Sequence, residues 1–155
     1  MAELWECDRL KKHEGMMLMP YYCPAGKLTI GVGRNLEDNP LTEEERRACG
    51  DYMKGITPCQ ADMLLRNDID RCKEELAKHF DFYKELDNER KYALLDMCFQ
   101  LGIYGLKKFR NMLKYMKRNN FEMAAFECLH SKYAAQTPKR AKRIATLIKT
   151  GKWEV

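Results

Sequence analysis

The sequence predicts an α+β fold that is mainly α-helical. Strand character is confined to about residues 20–36, and almost everything after Leu41 shows helical periodicity or helix-boundary signals. The chain has 155 residues, of which 45% are hydrophobic and 33% charged, so it can bury a core or two small lobes. One domain covering residues 1–155 is therefore expected.

The first predicted element is a short amphipathic helix that ends in a glutamate. Leu4, Cys7 and Leu10 recur at helical intervals, and Glu14 follows Leu10 by four residues, so its carboxylate continues the apolar stripe. Partial burial disfavours a charged carboxylate, and enzymes tune a glutamate pKa to roughly 6 to 7 in this way when it must deliver a proton. Glu14 is therefore a candidate general acid. The alternative is that it caps the first helix or forms a salt bridge there.

The strand region follows directly, with a strand-like run at Leu28–Gly33. Three methionines lie just before it, and packing between a hairpin and a helix is the common use of such flexible side chains. We therefore expect Met16, Met17 and Met19 to be packed rather than exposed as a binding surface.

A long helix is predicted to begin at Thr57. Thr57 can serve as its N-cap and Pro58 as its first residue, and the Gln60 side chain can accept the Thr57 backbone N–H to complete a capping box. The helix should continue to about His79. Its apolar residues alternate with charged ones, Asp68 among them, which is typical of a helix that is solvated around much of its circumference.

Two further helices are predicted downstream. The segment 93–99 is nearly continuous in apolar residues and should form a buried central helix, with Met97 and Phe99 in the core. Thr137 and Pro138 are an N-cap and a first-turn proline for a last helix, and Gly151 follows its far end.

The spacing of three residues carries a family resemblance. Eight residues separate Glu14 from Cys23, and five separate Cys23 from Thr29. This spacing matches the catalytic pattern of the phage lysozymes of glycoside hydrolase family 24, in which a Glu is followed by an Asp or Cys and then by a Thr. The chain resembles this family, and its T-even phage type, over essentially its whole length. The segment Tyr21–Gly33 looks like the family's small β-hairpin, with Gly26 at the turn and Gly31 and Gly33 in the following strand. Three further segments match the family, namely Phe99–Gly102, Gln136–Arg143 and Thr150–Trp153.

The resemblance implies a lysozyme-like fold with two lobes. The N-terminal lobe would contain the hairpin and span about residues 14–56, and a connecting helix would span about residues 57–79. The helical C-terminal lobe would cover about residues 80–155, with the first helix packed on it.

The resemblance also implies an activity, that of an endolysin causing host cell lysis for phage release. The reaction would be hydrolysis of the β-1,4 bond between N-acetylmuramic acid and N-acetylglucosamine in peptidoglycan, with Glu14 protonating the leaving oxygen. Members with aspartate at the second position use it to activate water. Here a Cys23 thiolate would either activate water, with inversion, or attack the anomeric carbon, with retention, and Thr29 would position the water.

Other positions take roles only through the resemblance. It implies that Arg140 pairs with Glu14, and that substrate contacts come from Gln100, Tyr133, Gln136 and Leu28. An adjacent guanidinium lowers a carboxyl pKa while burial raises it, so the sequence leaves the protonation of Glu14 open.

Charge is uneven along the chain and leaves other functions open. Residues 101–155 contain 13 Lys and Arg against 3 Asp and Glu, a net charge of +10. Such a surface would raise the encounter rate with an anionic bacterial envelope. It is also compatible with a basic helical protein that disrupts membranes or binds nucleic acid, although no nucleic-acid motif is present and we expect no such partner. The cysteine at the second catalytic position leaves open a wall-binding module with impaired catalysis.

Composition also bears on cofactors and location. Seven cysteines lack a paired spacing, which favours free thiols in a reducing compartment. With no Cys-x-x-Cys and no second histidine after His13-Glu14, we expect neither a metal nor another cofactor. No signal peptide or span of about 18 apolar residues is visible. Together with the resemblance, this predicts a monomer that accumulates in the host cytoplasm until a holin-type membrane protein gives it access to the wall.

Overall fold

The computed structural model describes residues 1–153, which form eight α-helices and a three-stranded antiparallel sheet. This confirms the predicted α+β class, mainly α. The strands are β1 (Met17–Tyr22), β2 (Leu28–Gly31) and β3 (Arg34–Asn35). The helices are α1 (Leu4–Glu14), α2 (Glu43–Cys49), α3 (Pro58–His79), α4 (Asn88–Lys107), α5 (Arg110–Lys117), α6 (Phe121–Leu129), α7 (Lys132–Gln136) and α8 (Pro138–Thr150), with 3-10 turns at Tyr52–Lys54 and Tyr83–Glu85.

Residue contacts divide the chain into two compact units. Unit 1 is Met1–Arg71, and unit 2 begins at Cys72, so the division falls within α3. The lobe boundaries expected from the sequence, and the packing of α1 on the C-terminal lobe, stay predictions. No helix within residues 1–153 is both long enough and apolar enough to cross a membrane.

The sheet of unit 1 has the strand order β1-β2-β3. Tyr21 pairs with Thr29 between β1 and β2, and the connecting turn contains Gly26 at φ +79°, as expected. Gly31 ends β2. Gly33 was expected in the strand but lies in the turn between β2 and β3 at φ +69°, a backbone conformation that ends regular pairing and favours glycine.

Apolar packing in unit 1 differs from two expectations. Cys7 and Leu10 are buried on α1, but Leu4 is 64% exposed, because it lies in the first turn. Met16 packs against the core of Ile30, Leu41, Cys49, Ile56, Ala61 and Leu64. The prediction that Met17 and Met19 are packed was wrong, since they are 47% and 54% exposed on the edge strand β1.

A buried ionic cluster links β3 to α2 and α3. Arg34 donates to Glu45 at 2.7 Å (Nη2 to Oε1) and lies 3.1 Å from Asp68 (Nη1 to Oδ1), and all three residues are at most 3% exposed. Burial alone would raise the pKa of Glu45, but hydrogen bonds from Arg34, Asn67 and the Thr42 backbone lower it to about 2. Asp68 therefore does not belong to the solvated face predicted for α3.

The start of α3 confirms the capping box read from the sequence. The Thr57 hydroxyl accepts the Gln60 N–H at 3.1 Å, and the Gln60 side-chain oxygen accepts the Thr57 N–H at 2.8 Å. These reciprocal bonds satisfy two N–H groups that a helix start otherwise leaves without partners.

Unit 2 is helical and centres on α4. Residues 92–98 of α4 are all buried, Met97 completely so, which confirms the predicted central helix. Cys72 and Cys98 are buried as small apolar side chains. Phe99 is only partly buried, and Gly102 interrupts the helix with φ 74° and ψ 164°.

The last helix begins differently from the prediction. Pro138 is at the first turn of α8 and Gly151 ends the helix in the left-handed conformation, as expected. However, the Thr137 side chain makes no capping hydrogen bond, and its hydroxyl donates to the Tyr133 carbonyl of the preceding helix at 3.0 Å. Helix α8 packs against α4, α6 and α7.

Candidate active site

Glu14 is the last residue of α1 and lies against the turn that follows β2. Gly15 ends the helix at φ +74°, and its N–H donates to the Lys11 carbonyl at 2.8 Å. The half-buried Glu14 side chain packs on Gly33, where an added Cβ would lie 3.1 Å from both Cδ and Oε1 of Glu14. Only glycine at position 33 suits both this contact and the positive φ.

Cys23 lies directly after β1, at the start of the hairpin turn. Its N–H donates to the Lys27 carbonyl at 2.9 Å, and its own carbonyl accepts the Gly26 N–H at 2.8 Å. A hydrogen bond from the Lys27 backbone is the main cause that lowers the pKa of the Cys23 thiol. Burial opposes it, and the Ala25 backbone and the Thr29 hydroxyl lower the pKa further. The turn therefore favours a thiolate at this position.

Thr29 lies in β2, and it is only 3% exposed. Its hydroxyl donates to the Lys27 carbonyl at 2.9 Å, and it can donate instead to a Cys23 thiolate, whose pKa it lowers. Because a hydroxyl has one proton, Thr29 can donate to the carbonyl or to the thiolate at any moment, but not to both. Thr29 and Cys23 therefore lie on the two sides of the same short turn.

Tyr21 is a neighbour of these residues that the sequence reasoning missed. Burial is the main cause that raises the pKa of the Tyr21 phenol, and the charges of Glu14 and Cys23 raise it further. Glu14 and Cys23 are therefore within electrostatic reach of the Tyr21 side chain, and the register of β1 with β2 places Thr29 directly opposite Tyr21. The signal was present in the sequence, because Tyr21 precedes Cys23 by two residues in a strand.

Leu28 lies beside Thr29 at the start of β2. Its side chain is half-buried, and its backbone N–H donates to the Glu37 carboxylate at 2.6 Å.

Unit 2 contains a cavity of about 730 Å³ that includes two of the predicted substrate-binding residues, Tyr133 and Gln136. Tyr133 is 5% exposed, and its ring meets Phe109 edge-on with 5.9 Å between centroids. Gln136 is exposed at the end of α7. The remaining lining residues are Leu101, Gly105, Lys108, Phe109, Arg110, Asn111, Met112, Glu127, Ser131 and Lys132.

Gln100 and Arg140 are placed elsewhere in unit 2. Gln100 does not line the cavity, and its Oε1 is buried without a hydrogen-bond partner among the described residues. Arg140 donates from Nε to Asp96 at 2.8 Å, and Asp96 also accepts the Tyr92 hydroxyl proton at 2.9 Å. The sequence did not suggest Asp96 as a partner, and the pairing of Arg140 with Glu14 stays a prediction.

Metal ligands are not clustered in the part of the chain that the structure describes. No three His, Cys, Asp or Glu side chains within residues 1–153 are arranged to hold a metal ion.

Comparison with known proteins agrees with the resemblance seen in the sequence. The phage lysozyme family profile matches residues 11–150. "Probable T4-type lysozyme 1" of Dictyostelium discoideum is 30% identical, over 93% of each chain. The pre-baseplate central spike protein Gp5 of Enterobacteria phage T4 is 28% identical over 95% of this chain and 28% of its own length. The peptidoglycan hydrolase gp36 of Pseudomonas phage phiKMV is 31% identical over 56% of this chain and 10% of its own length. With a family match that spans both units, the chain belongs to the phage lysozyme family.

Proposed function

We propose that this lysozyme is an endolysin that cleaves the β-1,4 bond between N-acetylmuramic acid and N-acetylglucosamine, with Glu14, Cys23 and Thr29 as catalytic residues. As a phage lysozyme it is a glycoside hydrolase that acts on peptidoglycan. The observation that supports this assignment is that unit 1 packs Glu14 against Gly33 beside the hairpin and places both Glu14 and Cys23 within electrostatic reach of Tyr21. Glycoside hydrolysis requires a proton donor and a second ionisable group at the scissile bond, and Glu14 at the end of α1 and Cys23 after β1 are these groups in the proposal.

Glu14 is the general acid in this proposal. Its carboxyl proton passes to the glycosidic oxygen while the bond from that oxygen to the anomeric carbon breaks, so the leaving sugar departs as an alcohol. The contact with Gly33 limits the positions that the carboxyl can adopt. A fixed donor raises the rate because the proton is already oriented toward the departing oxygen.

Cys23 acts on the opposite side of the anomeric carbon, by one of two routes. As a base, its thiolate takes a proton from water while the water oxygen bonds to the anomeric carbon, with inversion. As a nucleophile, the sulfur bonds to that carbon, and water later displaces it while Glu14 accepts the water proton, with retention. Both routes need a thiolate, and the lowered pKa of Cys23 supports them.

Thr29 is proposed to position the attacking water. Its hydroxyl proton is directed to Lys27 or Cys23, which leaves its oxygen lone pairs as acceptors for a water proton.

Saccharide contacts are proposed for Gln100, Tyr133, Gln136 and Leu28. In unit 2 the Tyr133 ring and the Gln136 amide line one cavity, and sugars bind well to flat ring faces and amide groups. We also propose the ion pair of Arg140 with Glu14 as a support for the acid.

Clearing of outer-membrane-permeabilised Gram-negative cells tests the role of Glu14. Under reducing conditions, Glu14→Gln should lower the clearing rate by about 10²- to 10⁴-fold, since it removes the transferable proton. Glu44→Gln, at an exposed position of α2, is the matched control and should clear cells like the unsubstituted protein. Equal clearing by Glu14→Gln would reject the assignment and favour membrane disruption by basic helices.

The two routes for Cys23 differ in the first product. NMR of a digest at early times reports which anomer forms before mutarotation. An initial β-anomer from the β-linked glycan excludes inversion, whereas an initial α-anomer excludes retention.

Access to the wall is the last part of the proposal. We propose that the monomeric protein accumulates in the host cytoplasm and reaches peptidoglycan only after a holin-type protein opens the inner membrane, which leads to lysis and phage release. Expression of this chain alone in a Gram-negative host should leave the cells intact until the membrane is breached. Spontaneous lysis during expression would contradict this dependence.

A further inference from the structure

We propose that Tyr21 is a further catalytic residue of this site, whose phenol hydroxyl donates a hydrogen bond to the saccharide at the scissile bond. The inference rests on the proposed function of Glu14 and Cys23 and adds a third group that touches the substrate there. No role was expected for Tyr21 from the catalytic pattern, in which only Glu14, Cys23 and Thr29 take part.

Strand register places Tyr21 on the face that carries the other groups. Tyr21 is directly opposite Thr29 in the antiparallel pair of β1 and β2, and directly opposed residues project from the same face of a sheet. Cys23 follows two residues later along the chain, so it continues that face. Tyr22 has the opposite orientation and is 71% exposed.

The hydroxyl of Tyr21 is not used by the fold. Its side chain is half-buried, and within residues 1–153 its hydroxyl makes no hydrogen bond to another residue. The adjacent residues Tyr21 and Tyr22 therefore differ in exposure, because the Tyr21 side chain is half-buried while that of Tyr22 extends into solvent. A held donor without a protein partner can bind a ligand at little additional ordering cost.

Electrostatics keep this hydroxyl protonated. Burial and the negative charges of Glu14 and Cys23 all raise the pKa of the phenol, so it remains a neutral donor over the pH range in which a glutamic acid and a thiolate work. It can donate to a hydroxyl or ring-substituent oxygen of the sugar without competing for the proton of Glu14. Wherever Glu14 or Cys23 is ionised, its charge disfavours a phenolate, which could only accept a hydrogen bond.

The test compares two tyrosines that are adjacent in sequence. Tyr21→Phe removes one oxygen and retains the ring, and steady-state kinetics on soluble peptidoglycan fragments should show kcat/KM reduced by about tenfold or more. Tyr22→Phe is the matched control and should change kcat/KM by less than about twofold, because its hydroxyl is solvated. The thermal midpoint of Tyr21→Phe should equal that of the unsubstituted protein, since no protein hydrogen bond is lost.

Several outcomes would overturn the inference. Activity of Tyr21→Phe within twofold of the unsubstituted protein would show that the hydroxyl does not contact substrate in the transition state. A matching fall in thermal midpoint and activity would assign the hydroxyl a structural role instead. Glu14→Gln distinguishes failure of this inference from failure of the proposed function. If Glu14→Gln is inactive and Tyr21→Phe is active, only the role of Tyr21 is rejected. If Glu14→Gln is active, the proposed catalytic site itself is rejected.

Discussion

The two units of the molecule hold their functional groups by different physical means. Unit 1 is slightly acidic, with 10 Lys and Arg against 13 Asp and Glu in residues 1–71, and it buries an ionic cluster around Arg34. Unit 2 is basic, with 18 against 10 in residues 72–155, and its centre is the apolar helix α4. Unit 1 should therefore be sensitive to lost charges and to altered glycines, whereas unit 2 should be sensitive to lost volume.

The largest effect is expected from removing the charge at the centre of unit 1. Arg34→Met leaves Glu45 and Asp68 buried without their shared cation, which should lower the free energy of unfolding by about 3–5 kcal/mol. Urea denaturation measures the loss. Arg47→Met is the control, because its i,i+4 pair with Glu43 is exposed on both sides and should contribute at most about 0.5 kcal/mol. If the two variants were equally stable, unit 1 would not depend on its buried ionic cluster, and this difference between the units would be rejected.

A slightly smaller effect is expected from lost volume in unit 2. Met97→Ala opens a cavity in the completely buried part of α4 and should cost about 2–5 kcal/mol. The same denaturation experiment with Met123→Ala, where the side chain is 37% exposed on α6, should show a change near 0.5 kcal/mol. If Met97→Ala were as mild as Met123→Ala, the core of unit 2 would not depend on close packing at α4.

Gly33→Ala should lower activity more than it lowers stability. The positive φ of 69° costs about 1–2 kcal/mol for a residue with a Cβ, and that Cβ would lie 3.1 Å from the carboxyl of Glu14. Gly50→Ala, at the end of α2, carries a similar backbone cost at φ +63°, but its Cβ would meet nothing within 4 Å. Both thermal midpoints should fall together, while cell clearing falls only for Gly33→Ala. Loss of clearing in both variants would attribute the effect to the backbone alone.

The smallest change concerns the ionisation of Cys23. Its pKa is lowered by the Lys27 backbone and by weaker donors, so the thiolate forms at a lower pH in the folded protein than in the unfolded chain. Alkylation of Cys23 by iodoacetamide, followed by peptide mass spectrometry across pH, should have its midpoint at lower pH in native protein than in urea. Activity that needs the thiolate should rise as pH increases through the native midpoint. A native midpoint at or above the unfolded one would contradict the assigned role of the turn.

Local signals in the sequence were sufficient for much of the fold. The capping box at Thr57 and the apolar run that includes Met97 depend on neighbours within one helix, and both were confirmed. The partners of Arg34 and Arg140 were not predictable, since Glu45, Asp68 and Asp96 lie 11 to 44 residues away and only folding brings them near. Tyr21 was missed because a tyrosine in a strand is common, and its meaning depends on the register with Thr29.

The break in α4 at Gly102 has a consequence for local opening of unit 2. With φ 74° and ψ 164°, Gly102 interrupts the run of hydrogen bonds, so residues 103–107 are not held by the same cooperative ladder as the buried residues before them. Hydrogen exchange should accordingly proceed faster after Gly102 than before it, in two separate steps. Since Leu101 and Gly105 both line the cavity that contains Tyr133, opening of this short segment would change the cavity without unfolding the core of α4.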